Sequence, residues 1–468
     1  MKYNKLTGDV LDEIRAIVGA KNVLTDPDMI QPYSHDEVTD PAYHHMPEAV
    51  AYVHSAEETS AIIKLANKYH FPVVPRGAGT GLACGAVPIY GGLVLSLEKM
   101  NQILEINEDA LYAVVQPGVR TSDLQAAVEA KDLFYAGDPC SGDSCFIGGN
   151  IATNAGGNRA VKYGTTRHQI YSIEVVTPKG KIVNLGARLQ KQSTGYCLDQ
   201  LVIGSEGTLG IITCATVKLL PKPQFTLDLL AVYDDVEAAI GVVNKVIKAG
   251  IMPTCVEFMD NITIKSVEKY LNEKLQGSDT GNYIIIQVEG VSEDDLDDKA
   301  VTLDEICTEA GATSVLVANP EKIWRARKSF AEAVRAESLI VCKEDVVTPV
   351  DKEPELIHHI LRIAKKYDLI TRIASHAGDG NIHLNIIKNE DLSYDEWNEK
   401  IHTMQKELYA IIYKEGGRLS GEHGIGFKRK QLMEEFTDPD ELEMMRDIKK
   451  ALDPNDILNP GKIFDIDE

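Results

Sequence analysis

Two histidines seven residues apart flank a Gly-Asp-Gly turn in SHAGDGNIHLNI, residues 375–386. Divalent transition metals take neutral imidazole or carboxylate donors from fixed backbone, commonly two or three side chains with one position left for substrate. On one continuous strand His376 and His383 would face opposite ways. In RIASHAGDGNIHLNII, read as strand, turn, strand, pairing across the turn brings them together. A third donor stands in RLSGEHGIGFKRK, where Glu422 and His423 are adjacent between Gly421 and Gly424. Neighbouring side chains point in different directions, so one can ligate an ion while the other faces a bound molecule. Two readings stand: a metal platform, or structural histidines beside a turn. Asp379, inside the turn, is assigned no chemical role.

A cation accompanies these donors. In PEKIWRARKSFAEAVRAE, Trp324, Arg327, Ala331 and Val334 fall along one helical stripe, which sets a guanidinium on a face that should be apolar. It needs an acidic partner there, either a carboxylate of this chain or that of a bound anion.

Three glycine-rich segments precede them. VVPRGAGTGLACGAVP, residues 73–88, follows strand-like residues but fits neither G-x-G-x-x-G nor the P-loop spacing. Its backbone N–H groups can still approach an anion closely. GDPCSGDSCFIGGNIATNAGGNRAVKYG, residues 137–164, carries two Gly-Gly pairs, and GSEGTLGIIT, residues 204–213, repeats the theme before a strand. Three such loops suggest a long ligand lying against backbone.

The elements that must hold these groups can be read in outline. SAEETSAIIKLANKYH opens with a Ser-x-x-Glu capping box and continues at helical spacing. FPVVP, GGLVLSL and YAVVQPG read as strands, and TSDLQAAVEAK as a helix capped by Thr121 or Ser122. The prolines of LLPKPQ, residues 219–224, mark a boundary. Beyond it, helix and strand alternate in a way that suits an open sheet covered on one side by helices. The segmentation expected is 1–45, 46–222, 223–415 and 416–468, the last helical before a Pro/Asn tail.

The chain has 468 residues, enough for more than one core. It is 44% hydrophobic and 25% charged, with no apolar run near the ~18 residues of a membrane span and no signal-peptide pattern, which points to the cytoplasm. The eight cysteines form no C-x-x-C pair, so a thiolate zinc site or an iron–sulfur cluster lacks its usual spacing, and free buried thiols are expected. A net charge of −23 argues against nucleic acid as a partner.

The order P-R-G-x-G-T-G, IGGNIATNAGG, GSEGTLGIIT resembles the FAD-binding domain of the vanillyl-alcohol oxidase / p-cresol methylhydroxylase superfamily. Within it the whole chain resembles the FAD-linked D-lactate and glycolate dehydrogenases, a group that also includes D-2-hydroxyglutarate dehydrogenase. The resemblance implies an α+β architecture: a PCMH-type FAD-binding domain, a substrate (cap) domain with an antiparallel sheet covered by helices, and a C-terminal segment returning to the flavin. It places Arg76, Gly77, Ala78, Gly79, Thr80 and Gly81 at the pyrophosphate. Gly148, Gly149, Thr153, Asn154 and Gly157 would line the flavin, with Glu206, Gly210 and Ile211 closing over the other end, and Pro75, Ser144 and Asn459 would also bind the cofactor. The FAD is expected to be non-covalent, since PRGAGTG has no His, although Cys140 and Cys145 lie near.

The same resemblance makes His376, His383 and Glu422 ligands of one divalent ion, Zn, Fe or Mn, and His423 the base. Arg327 would bind substrate, with Lys343, after the strand SLIVC, as its second cation. The activity implied is oxidation of a small D-2-hydroxy acid, D-lactate to pyruvate foremost, with hydride passing to flavin N5. Electrons would continue to a protein acceptor such as electron-transferring flavoprotein. Glycolate or 2-hydroxyglutarate as substrate, a non-catalytic FAD-binding subunit, and a metal-dependent lyase or hydrolase are the alternatives.

Overall fold

The computed structural model of the chain describes residues 3–279 and 281–466. It divides into two compact units: Met1–Ala155, Thr165–Lys222 and His423–Glu468 form the first, and Gly156–Gly164 with Pro223–Glu422 the second.

The first unit holds two main sheets. One has the strand order Val23–Leu24, Ala49–Tyr52, Leu93–Ser96, Val73–Arg76, with the last three mutually parallel. Parallel neighbours need a crossover, and helix Ala56–Tyr69 supplies it, its N-terminus capped by Ser55 Oγ accepting from the Glu58 N–H at 3.2 Å. The apolar side chains of both elements close one core with Val10, Ile14, Ile457 and Leu458. The C-terminal chain joins this sheet: the Val73 N–H donates to Ile457 O at 2.9 Å and the Asn459 N–H to Val73 O at 2.8 Å. The other sheet is antiparallel, ordered Ile103–Asn107, Tyr112–Val115, Ile211–Lys218, Ile170–Val176, Ile182–Gly186. Helix Thr121–Glu129 lacks the expected side-chain cap: its N-cap is Arg120. The Thr121 hydroxyl instead accepts from Asn150 Nδ2 at 2.8 Å, which pins the helix Ile147–Thr153.

The second unit is built on a seven-stranded sheet ordered Ser314–Val317, Phe225–Tyr233, Asn282–Gly290, Cys255–Met259, Ile370–His376, Asn381–Ile387, Val341–Val347. Every pairing in it is antiparallel. Helices cover both faces, not one. Leu230, Met259, Ile285 and Ala374 pack against helices Asn261–Leu271, Pro320–Lys328 and Phe330–Glu337 on one face. On the other face Glu344 accepts from Gln405 Nε2 at 2.8 Å and from the Tyr409 hydroxyl, both on helix Tyr394–Lys414. The central strands are buried at both parities, as Cys255–Met259 and Asn381–Ile387 are throughout, so each face needs its own cover.

Further sequence readings change here. The helix expected through 320–337 breaks at Ser329, and Ala331 is exposed. The buried stripe is Ile323, Ala326, Arg327, Phe330, Ala333 and Val334, which keeps Arg327 inside. Lys343 lies within the strand Val341–Val347, not after it. All eight cysteines are free as expected, but Cys140 and Cys197 are exposed.

Candidate functional site

The hairpin brings the two histidines together. His376 pairs with Asn381 and Ala374 with His383, so the rings are diagonal neighbours on one face. Their centroids lie 5.0 Å apart at 86°. Glu422 completes the group: its Oε1 is 3.5 Å from His376 Nε2 and 3.3 Å from His383 Nε2. The segment carrying Glu422 continues the sheet edge, with the Arg418 N–H donating to Val347 O at 2.9 Å and the Gly421 N–H to Asp345 O at 3.1 Å.

Behind each imidazole stands a carboxylate that sequence reading missed. Glu257, on the strand Cys255–Met259, sets Oε1 and Oε2 at 2.8 and 2.9 Å from His376 Nδ1. Asp345 stands directly opposite His383 in the ladder, with Oδ1 at 3.5 Å from His383 Nδ1. Asp345 also accepts from Asn381 Nδ2 at 2.8 Å, the Ser420 hydroxyl at 2.6 Å, and the Gly421 and Glu422 N–H groups at 3.1 and 3.0 Å. For Glu257 the signal was an acid in the middle of an otherwise apolar strand, CVEFM; Asp345, in VCKEDVV, stands beside two other charged residues and carried no such signal.

These surroundings shift the ionisation of each group. Burial alone would lower the His383 pKa, but Asp345 and Glu422 outweigh it and push it up to about 9. Burial would raise Glu422, yet the two imidazoles hold its carboxyl well below the usual range. Asp379, within the turn, is pushed up to about 7 by burial, with Glu257 and Glu422 adding to the rise. Two imidazole Nε2 atoms and one carboxylate oxygen, each imidazole backed by an acid, form a donor set suited to Zn, Fe or Mn. Gly156 belongs to the same unit, and a Cβ there would come within 2.7 Å of Glu422 Oε2.

Arg327 meets Glu257, with Nε and Nη2 at 2.8 and 2.7 Å from Oε2, both residues buried. The intrachain carboxylate partner is thus present. Lys343 shares a strand face with Asp345, two residues on.

In the first unit the glycine loops converge. A Cβ on Gly77 would lie 3.8 Å from Gly149 Cα, and one on Gly149 would meet nothing within 4 Å. Gly148 instead packs on Pro117, and Gly79 has φ +77 with Arg76 folded over it. Ala78 and Thr80 complete this loop after Pro75, the ring against which Gly207 packs. Arg76 is buried and gives Nη1 to His35 O at 2.8 Å. Thr153 Oγ1 donates to Gly149 O at 3.2 Å, while Asn154, left-handed at φ 51, accepts from the Arg167 N–H at 3.0 Å. Ser144 Oγ donates to Ser141 O at 3.2 Å. Gly210 sits against Val175, and Ile211 opens a buried strand.

Glu206 is turned inward: its carboxylate accepts the Ile425 and Gly426 N–H groups at 2.7 and 2.8 Å, and Asn459 Nδ2 donates to Glu206 O at 2.7 Å. Glu206 thus holds the chain that follows His423, and Asn459 holds the backbone of Glu206. His423 belongs to this unit, whereas Gly157 lies in the other. The open backbone over Gly149, facing Gly77, fits a long phosphate-bearing ligand such as FAD.

The chain matches the FAD linked oxidases, C-terminal domain, over residues 222–463 and the FAD binding domain over residues 47–186. It is 37% identical to a D-lactate dehydrogenase of Anaerostipes hadrus, covering 99% of this chain and 98% of that one. It is also 37% identical to glycolate oxidase subunit GlcD of Bacillus subtilis, over 98% and 97% of the two chains. Among solved structures, p-cresol methylhydroxylase with substrate bound superposes with a TM-score of 0.81 at 18% identity, covering 98% of this chain and 97% of that one, a likeness of fold. Among the described residues no helix is long and apolar enough to cross a membrane. The chain belongs to the FAD-linked oxidoreductases of the D-lactate, glycolate and D-2-hydroxyglutarate dehydrogenase family.

Proposed function

We propose that the chain is a FAD- and metal-dependent dehydrogenase of a small D-2-hydroxy acid, with D-lactate and pyruvate as its leading pair. The observation that carries this reading is the convergence of His376 Nε2, His383 Nε2 and Glu422 Oε1, each imidazole backed by a carboxylate. When bound, FAD accepts the hydride lost from C2, and a divalent cation lowers the pKa of the 2-hydroxyl. Arg327 and Lys343 would orient the substrate carboxylate; a guanidinium has five N–H donors, enough to serve Glu257 and a substrate together. His423 would take the hydroxyl proton as general base.

No iron–sulfur spacing is present in the sequence, and an electron-transferring flavoprotein is the acceptor proposed. The protein is proposed to work in the cytoplasm. Anaerobic bleaching of the flavin by D- and L-lactate, glycolate, D-2-hydroxyglutarate and D-malate, before and after chelation, tests substrate and metal together. Bleaching unchanged in the stripped protein would remove the metal from the reading. Bleaching by glycolate or D-2-hydroxyglutarate alone would reassign the substrate.

A further inference from the structure

Glu257 stands where two elements meet. It lies mid-strand in Cys255–Met259 with no exposed surface. From helix Pro320–Lys328, Arg327 brings Nε and Nη2 to 2.8 and 2.7 Å of Oε2. From the neighbouring strand, His376 sets Nδ1 at 2.8 and 2.9 Å from the two oxygens. An imidazole nitrogen held against a carboxylate carries the proton, so His376 presents Nε2 as a lone-pair donor on the side of Glu422.

The carboxylate is shared between a residue proposed to hold the metal and one proposed to hold the substrate. Asp345, which backs His383, is differently placed: it binds the backbone of residues 421 and 422 and the side chains of Asn381 and Ser420. We propose that Glu257 is a positioning residue that couples metal affinity at His376 to the grip of Arg327 on the substrate carboxylate. The proposal rests on the metal-dependent dehydrogenase reading above.

The physical basis is competition for one anion. Hydrogen bonding to Glu257 raises the basicity of His376 Nε2, and the positive charge of Arg327 on the same oxygen withdraws part of that effect. A substrate carboxylate that engages Arg327 offsets its charge, returning electron density to the Glu257–His376 pair. Metal and substrate then strengthen each other's binding, and the coupling is reciprocal.

The test uses the FAD-loaded full chain, stripped by a chelator and titrated with Zn(II) in competition with a chromophoric chelator. E257Q is expected to weaken Zn(II) binding about 10–100-fold. R327M is expected to tighten it by about fivefold or more, although Arg327 donates nothing to the ion. With zinc saturating, E257Q is also expected to raise the KM for D-lactate more than it lowers kcat, and E257D to restore part of both effects. Should E257Q fail to fold because it strands the buried guanidinium, E257Q/R327M removes both charges and must bind zinc more weakly than R327M alone. Zinc affinity unchanged or weakened by R327M, or zinc affinity and KM both unchanged in E257Q, overturns the proposal. A wild-type protein that binds zinc no better than H376A/H383A overturns the underlying metal reading instead.

Discussion

Asp345 stands directly across the ladder from His383 and accepts the Glu422 N–H at 3.0 Å, so a single carboxylate positions two of the three proposed metal donors. Asp345→Asn keeps the size but replaces an anionic acceptor. Metal affinity is expected to fall about 10–100-fold, with stability lowered by about 2–4 kcal/mol as charged hydrogen bonds are lost. Chelator competition and urea unfolding measure the two; a variant with full metal content would show that Asp345 only braces the sheet edge.

Gly156 is the narrow point beside Glu422. In Gly156→Ala the new Cβ would sit 2.7 Å from Glu422 Oε2, so the carboxylate must swing away. The variant should keep its flavin but lose metal, readable as flavin absorbance against metal content by atomic emission. Normal metal stoichiometry would mean that Glu422 can shift and still ligate.

Gly149 separates cofactor binding from stability. It is helical, and an added methyl meets nothing within 4 Å. Gly149→Ala is therefore expected to stabilise the flavin-free protein by about 0.5–1 kcal/mol, while FAD binding weakens. Gly148→Ala meets Pro117 and should destabilise the flavin-free protein. Thermal melts with and without added FAD distinguish the pair; unaltered FAD affinity in Gly149→Ala would remove that face from the cofactor site.

Lys462 gives a pH dependence. Burial pulls its ammonium from 10.5 down to about 7, and its Nζ donates to Val87 O at 2.7 Å. Between those values the unfolded chain holds more protons than the folded one, so stability rises with pH across the window and the contribution is flat below pH 7. In urea melts the wild type should gain on Lys462→Met by up to ~1.4 kcal/mol per pH unit between pH 7.5 and 9.5. Parallel curves would place the amine in water.

The glycine loops, the hairpin and Glu422 were legible in the sequence because each depends on residue types close together in the chain. His376 and His383 meet through one four-residue turn, a local event. Glu257 and Asp345 were not legible, since they reach the histidines only through strand neighbours set by the register of the whole sheet. The inward turn of Arg76 and Glu206 escaped for a similar reason: the carbonyl of His35 and the N–H groups of Ile425 and Gly426 lie far along the chain. For Arg327 the sequence required an acid nearby without saying which, and Glu257 is that acid.

The hairpin strands Ile370–His376 and Asn381–Ile387 lie inside a sheet whose faces are both covered. Their amides should exchange with solvent only through opening of the whole second unit, never by fraying of the turn. The spacing of the two imidazoles is then as durable as the unit itself, and heat should abolish both in one step.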